Sequence, residues 1–127
     1  MADVAGFVVA VVDDDPRILE SLESLLESAG YVVRLFSSAT ALLQSGSLAE
    51  IDCLISDIGM PLMDGFELQR LAEAARPELP VILITGRHEM KDQRPDSPCI
   101  RGFFEKPFDG RELLAALDNA LAARDGK

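Results

Sequence analysis

The chain has 127 residues, 48% of them hydrophobic, with 12 basic and 22 acidic side chains and a net charge of −10. That length fits one domain spanning residues 1–127, and the hydrophobic content supplies a core and excludes a disordered chain. The acidity speaks against direct binding to nucleic acid or to an anionic membrane, both of which reward a basic face, and leaves a basic protein partner open.

Phe7 to Val12 is a continuous, valine-rich apolar run. Continuous rather than alternating hydrophobicity predicts a strand buried on both faces, as in a parallel sheet. The run is far too short to span a bilayer, and no basic leader with a cleavage site precedes it, so no membrane segment or secretion signal is expected. Asp13-Asp14-Asp15-Pro16 ends the strand, with Asp15 as N-cap and Pro16 at the first helical position. Ile18, Leu22, Leu25 and Ala29 then recur at helical spacing, flanked by Leu19 and Leu26, up to a stop at Gly30.

Tyr31 to Phe36 reads as a second strand. Ser37 or Ser38 caps a helix through Ala41, Leu42 and Leu43, which Ser45-Gly46-Ser47 loosens. Cys53 to Ser56 is a third strand with Asp57 at its tip, and Asp64-Gly65 opens a helix whose Phe66, Leu68, Leu71 and Ala75 are expected to face inward. Pro77 and Pro80 bracket a turn, and Val81 to Ile84 is a fourth strand ending in Thr85-Gly86. His88 to Arg101 contains Pro95 and Pro98, so a regular crossover helix is not expected there. Gly102 to Glu105 is a short fifth strand, Lys106-Pro107 ends it, Asp109 caps, and Leu113, Leu114, Leu117 and Leu121 make a last amphipathic helix. Cys53 and Cys99 lack metal-ligand spacing, and Cys53 reads as a small core residue, in keeping with a reduced, cytoplasmic setting.

Alternation of strand and helix predicts an α/β fold: a doubly wound five-stranded parallel sheet with helices on both faces, its fourth helix short, irregular or missing. Parallel strands would bring Asp13 and Asp14, Asp57, Thr85 and Lys106 to one edge of the sheet, where such folds place their chemistry. Three carboxylates gathered there would repel unless a hard divalent cation joined them. Mg²⁺ takes oxygen ligands and keeps waters, which leaves room for a phosphate oxygen. Lys106 would add a compact positive charge and Thr85 a hydroxyl donor. Asp57, alone at its strand end, is the better nucleophile for phosphoryl transfer onto a carboxylate.

Four motifs in order carry a resemblance. They are Val11-Val12-Asp13-Asp14-Asp15, Ser56-Asp57-Ile58-Gly59-Met60-Pro61 with Met63-Asp64-Gly65, Leu83-Ile84-Thr85-Gly86, and Phe103-Phe104-Glu105-Lys106-Pro107-Phe108. Together they resemble the CheY-like receiver domain of two-component response regulators, a flavodoxin-like (βα)5 fold, over nearly the whole chain. The Thr-Gly and Glu-Lys-Pro-Phe wording is similar to receivers that precede LuxR-type DNA-binding domains. The resemblance implies that Asp57 takes a phosphoryl group from a phospho-histidine on a sensor histidine kinase or histidine phosphotransfer protein. It implies Mg²⁺, or Mn²⁺ in its place, held directly by Asp14, Asp57 and the Gly59 backbone carbonyl and through water by Asp13. The acidic pair is placed at Asp13 and Asp14 because they follow the strand directly and Asp15 is needed as the cap. Thr85 and Phe103 would be the switch pair, Lys106 would contact the phosphate, and the Lys106–Pro107 peptide would be cis.

Such a module is a signalling phosphoacceptor with slow self-dephosphorylation rather than a metabolic enzyme. It would switch affinity for an output domain or partner, or form a phosphorylation-dependent dimer. Two other classes compete. A pseudo-receiver scaffold is allowed by the irregular fourth segment but opposed by the complete acidic set with Thr85 and Lys106. An aspartyl-phosphate phosphohydrolase would need a second acid two residues after the nucleophile, where Gly59 stands. Phe103 fits plain core as well as a switch. His88 reads as an exposed loop residue, and Arg87 borders the expected site, where it would screen the phosphate. No output domain follows Lys127, which fits a stand-alone receiver or a part of a longer regulator.

Overall fold

The computed structural model of the chain describes residues 6–86 and 95–125. In order, the elements are β1 (Val8–Val12), α1 (Pro16–Ser28), β2 (Val32–Phe36), α2 (Ala39–Ser45), a 3-10 turn (Ser47–Ala49), β3 (Cys53–Asp57), α3 (Gly65–Ala75), β4 (Val81–Thr85), β5 (Ile100–Glu105) and α4 (Gly110–Asp125). The strands form one parallel sheet in the order β2-β1-β3-β4-β5. The expectation of an irregular helix between β4 and β5 falls largely on residues 87–94, outside the described residues. Residues 95–99, which are described, carry no helix.

The continuous apolar strands feed two cores, because alternate residues point to opposite faces. On one face Val9, Val11, Cys53, Ile55, Ile82 and Ile84 pack under Leu19, Leu22 and Leu26 of α1 and Leu113, Leu117 and Leu121 of α4. On the other, Ala10, Val12, Leu54, Val81 and Leu83 pack under Ala39 and Leu42 of α2 and Leu68 and Ala72 of α3. Cys53 is buried, as its apolar run suggested.

The caps follow the sequence closely. Asp15 accepts from the Arg17 N–H at 2.9 Å with Pro16 opening α1. Ser38, rather than Ser37, accepts from the Ala41 N–H at 3.0 Å, and Gly46 closes α2 in the left-handed conformation. Asp64 accepts from the Glu67 N–H at 2.9 Å. Two expectations need correction. β5 begins at Ile100 instead of Gly102, with a register shift that leaves Arg101 bulged between the partners of Val81 and Ile82. Leu71 and Ala75 do not face inward: Leu71 is 39% exposed and Ala75 is exposed too. The inward stripe runs through Gly65, Leu68, Gln69 and Ala72. Gly65 sets that rotation, because a Cβ there would stand 2.5 Å from the Asp57 carbonyl oxygen. Only a glycine lets the helix start this close to β3, and residues three, four and seven positions on inherit the inward side.

Arg76 closes the far end of α3. Its guanidinium donates to the carbonyls of Leu48 at 2.9 Å and Ile51 at 2.5 Å, and its Nε donates to Glu78 at 2.9 Å. Arg76→Ala removes the donors that satisfy two carbonyls of the turn leading into β3. It should therefore destabilise the domain by about 1–3 kcal/mol, measured by urea denaturation; a loss below ~0.5 kcal/mol would contradict this role.

Candidate functional site

The sheet delivers the expected residues to one edge. Asp13 follows β1, Asp57 ends β3, Thr85 ends β4, and Lys106 follows β5. Register explains the convergence: Asp57 pairs with Ile84, and Thr85 pairs with Glu105. The Thr85 carbonyl accepts from the Lys106 N–H at 2.7 Å, which seats the lysine beside the end of β4. The Lys106–Pro107 peptide is cis, as the resemblance implied.

Asp13 is wholly buried and Asp57 is 5% exposed, whereas Asp14 is exposed. One oxygen from each of the three carboxylates lies within 4.8 Å of the others. The Lys106 ammonium donates to Asp13 Oδ2 at 2.9 Å and stands 3.3 Å from Asp57 Oδ1. The other Asp13 oxygen accepts from the Asp15 N–H at 2.9 Å. Burial pushes the Asp13 carboxyl above the ordinary carboxylate value, and the Asp57 charge adds to this. The Asp15 N–H and the Lys106 ammonium pull it back without prevailing. Burial would lower Lys106, but the hydrogen bond to Asp13 and the charges of Asp57 and Asp13 outweigh it and hold the ammonium above its ordinary value. At the rim, hydrogen bonds from Arg17 hold Asp15 below the usual range.

The loop after β3 wraps the Asp57 side of the site. The Gly65 N–H donates to the Ile58 carbonyl at 3.0 Å, closing a loop that carries Gly59 exposed on one side. At its tip Leu62 is fully exposed with φ of 69°. On the other side Phe103 pairs in register with Leu83, and its ring lies 6.4 Å from that of Phe66, tilted by 30°.

The set suits a hard cation. Among the described residues it offers three carboxylates and no nitrogen or sulfur ligand, which is the donor chemistry Mg²⁺ prefers. The structure thus brings Asp13, Asp14, Asp57, Thr85 and Lys106 together. Arg87 and His88 lie outside the described residues. Three features escaped the sequence reading. Lys106 bridges two carboxylates, Leu62 takes a left-handed backbone, and Phe66 meets Phe103. For the last a signal existed, since both residues are aromatic and border the site motifs; the other two depend on tertiary geometry.

Comparison with known proteins agrees with this geometry. The model of the response regulator receiver domain matches residues 9–118. The chain is 40% identical over 116 residues to the response regulator protein TmoT of Ectopseudomonas mendocina, covering 90% of this chain and 52% of that protein. It therefore spans about half the length of the curated relatives it matches. Among solved structures, it is similar to the signal receiver domain of an HD domain-containing protein from Pseudomonas fluorescens Pf-5. The TM-score is 0.84 and the identity 31%, over 95% of this chain and 98% of that one. It is also similar to the response regulator TrrA of Thermotoga maritima in complex with Mg²⁺-BeF. There the TM-score is 0.82 and the identity 25%, over 91% of this chain and 99% of that one.

Asp13 is wholly buried beside the buried Asp57, and burial with the Asp57 charge disfavours its ionised form. Asp13→Asn should therefore raise stability at pH 7 in the presence of a chelator, by about 1 kcal/mol. Urea denaturation measures the change, and a lower stability would show that the Lys106–Asp13 pair outweighs the cost of burying it.

Proposed function

The chain belongs to the response regulator receiver family, and from that premise we propose that Asp57 accepts a phosphoryl group and that the Thr85 and Phe103 side of the sheet reads it. The observation that carries this reading is the Lys106 ammonium, held 3.3 Å from the Asp57 carboxylate at the joint end of parallel strands. An Asp57 oxygen attacks phosphorus in line, the P–N bond to the donor's histidine breaks, and the imidazole leaves with the electron pair and takes up a proton. Asp14, Asp57 and the Gly59 carbonyl, with Asp13 through water, would hold Mg²⁺, which would supply charge neutralisation for the transferring phosphoryl group. Lys106 keeps its positive charge through the ordinary pH range and is placed to transfer its contact from the carboxylate to the arriving phosphoryl group. Thr85, buried at the end of β4, offers its hydroxyl.

The family supports a sensor histidine kinase or a histidine phosphotransfer protein as donor. The chain spans only about half of TmoT, which supports an output region elsewhere in the regulator or on a partner. Phosphorylation would shift the population of the β4–β5 face toward partner binding or dimerisation. Slow self-dephosphorylation completes the cycle, and Gly59 in place of a second acid speaks against turnover of small substrates. No helix of the described residues is long and apolar enough to cross a membrane.

Intact mass after incubation with acetyl phosphate and Mg²⁺ tests the reading. Wild type should gain one phosphoryl group, and the gain should vanish with chelator or in Asp57→Ala; folded wild type that gains nothing would contradict it. Lys106→Ala should uncouple phosphoryl uptake from the change on the 85–108 face. Hydrogen exchange across that face, before and after phosphorylation, should therefore change in wild type and stay flat in the variant. A full response in the variant would remove Lys106 as the reader.

A further inference from the structure

Leu62 stands in the loop between β3 and α3, in the stretch that follows Asp57. Its side chain is fully exposed, whereas Val32, the next most exposed large apolar residue among those described, is 46% exposed. Leu62 is also the one non-glycine residue among them with a positive φ, at 69°. Neither feature helps the fold. A left-handed backbone disfavours most residues with a Cβ and suits asparagine or glycine better. A side chain wholly in water adds nothing to either core.

The loop nevertheless displays Leu62 on a fixed base. The Met60 N–H donates to the Ile58 carbonyl at 3.0 Å, the Met63 N–H to the Pro61 carbonyl at 2.8 Å and the Gly65 N–H to the Ile58 carbonyl at 3.0 Å. Ile58 and Met60 are buried beneath it. An exposed leucine held in a disfavoured conformation on a bonded loop is a side chain used outside the chain. The site dictates what meets it. Asp57 is 5% exposed, so a phosphohistidine carried on a protein reaches it only when the surface around that histidine closes on the rim. From Ile58 to Met63 that rim carries no charged residue, in a chain with net charge −10. A charged partner surface finds no counterpart there, and an apolar one does.

We propose that Leu62 docks the protein phosphodonor, seating its side chain in an apolar patch beside the donor's phosphohistidine. This rests on the acceptor reading above and adds to it an apolar requirement on the donor surface next to the transferred group. Because the loop is bonded in place before contact, little conformational freedom is lost on docking. Leu62 acts on donor binding and takes no part in the transfer itself.

The test loads the whole chain, with Mg²⁺, from two donors that share a leaving group. One is phosphoimidazole, which has no protein surface. The other is the autophosphorylated soluble part of a sensor histidine kinase, drawn from a panel for its transfer to wild type. With subsaturating kinase, Leu62→Asn should take up phosphoryl roughly tenfold more slowly, the loss expected for one leucine left out of an apolar contact. The loss should lie in the donor concentration that gives half the maximal rate, with the rate at saturation kept. Leu62→Met, which stays apolar, should remain within about threefold of wild type. With phosphoimidazole both variants should match wild type within about twofold. Leu62→Asn should unfold at the wild-type temperature or above it, because asparagine suits the left-handed backbone. A purely structural role would instead lower that temperature and slow both donors alike. A wild-type rate from the kinase in Leu62→Asn overturns the inference, as does an equal slowing with phosphoimidazole. A wild-type dimer in sedimentation that Leu62→Asn abolishes would assign the leucine to a second copy and overturn it too. Wild type that takes phosphoryl from neither donor fells the acceptor reading and the inference together. Wild type loaded by phosphoimidazole and by no kinase of the panel fells the inference alone.

Discussion

The Lys106 ammonium, 2.9 Å from Asp13 and 3.3 Å from Asp57, is the contact on which the site depends. Parallel strands bring three carboxylates to one edge of the sheet, with an oxygen of each within 4.8 Å of the others. At that distance two ionised carboxylates repel by roughly 3 kcal/mol at an effective dielectric near 20. The half-buried lysine offsets part of this and couples β1, β3 and β5 electrostatically. The site therefore combines two opposed demands. On the proposed function it concentrates negative charge to hold a cation and keeps a positive charge ready for an anion. A group that arrives carrying oxygens of its own would compete with both carboxylates for the lysine, which is how a local charge change becomes a change in how β5 is held.

Backbone geometry serves the same end on the acceptor side. At Gly65 a Cβ would collide with the Asp57 peptide, and its place there sets the rotation of α3. That constraint turns Leu68, Gln69 and Ala72 inward and leaves Leu71 and Ala75 outside. It also puts Phe66 within reach of Phe103. One glycine thus links loop closure, helix orientation and the Phe66–Phe103 contact.

The order of elements, the parallel sheet and the gathering of Asp13, Asp14, Asp57, Thr85 and Lys106 at one sheet edge were legible in the sequence because each rests on local pattern. Continuous valine-rich runs mark doubly buried strands, Asp-Pro and Asp-Gly mark helix starts, and the carboxylates stand where the runs stop. What escaped was set by tertiary contact. Helical periodicity could not choose between the Leu68 and Leu71 sides of α3, because both are apolar; the approach to β3 decided it. The start of β5 escaped because Arg101 bulges, and a bulge has no clear sequence signature. Composition likewise could not show that Lys106 divides itself between Asp13 and Asp57, which follows from the register of strands far apart in the chain.

The most direct measurement of the central claim is chemical mapping of the phosphorylated side chain. Borohydride reduces an acyl phosphate to the alcohol, so an aspartyl phosphate is converted to homoserine and its position can be read by peptide mass spectrometry. The account predicts homoserine at position 57 and at no other acidic residue. Homoserine at position 13 or 14 instead would contradict it, because the nucleophile would then be a carboxylate to which the account gives a cation-holding role alone.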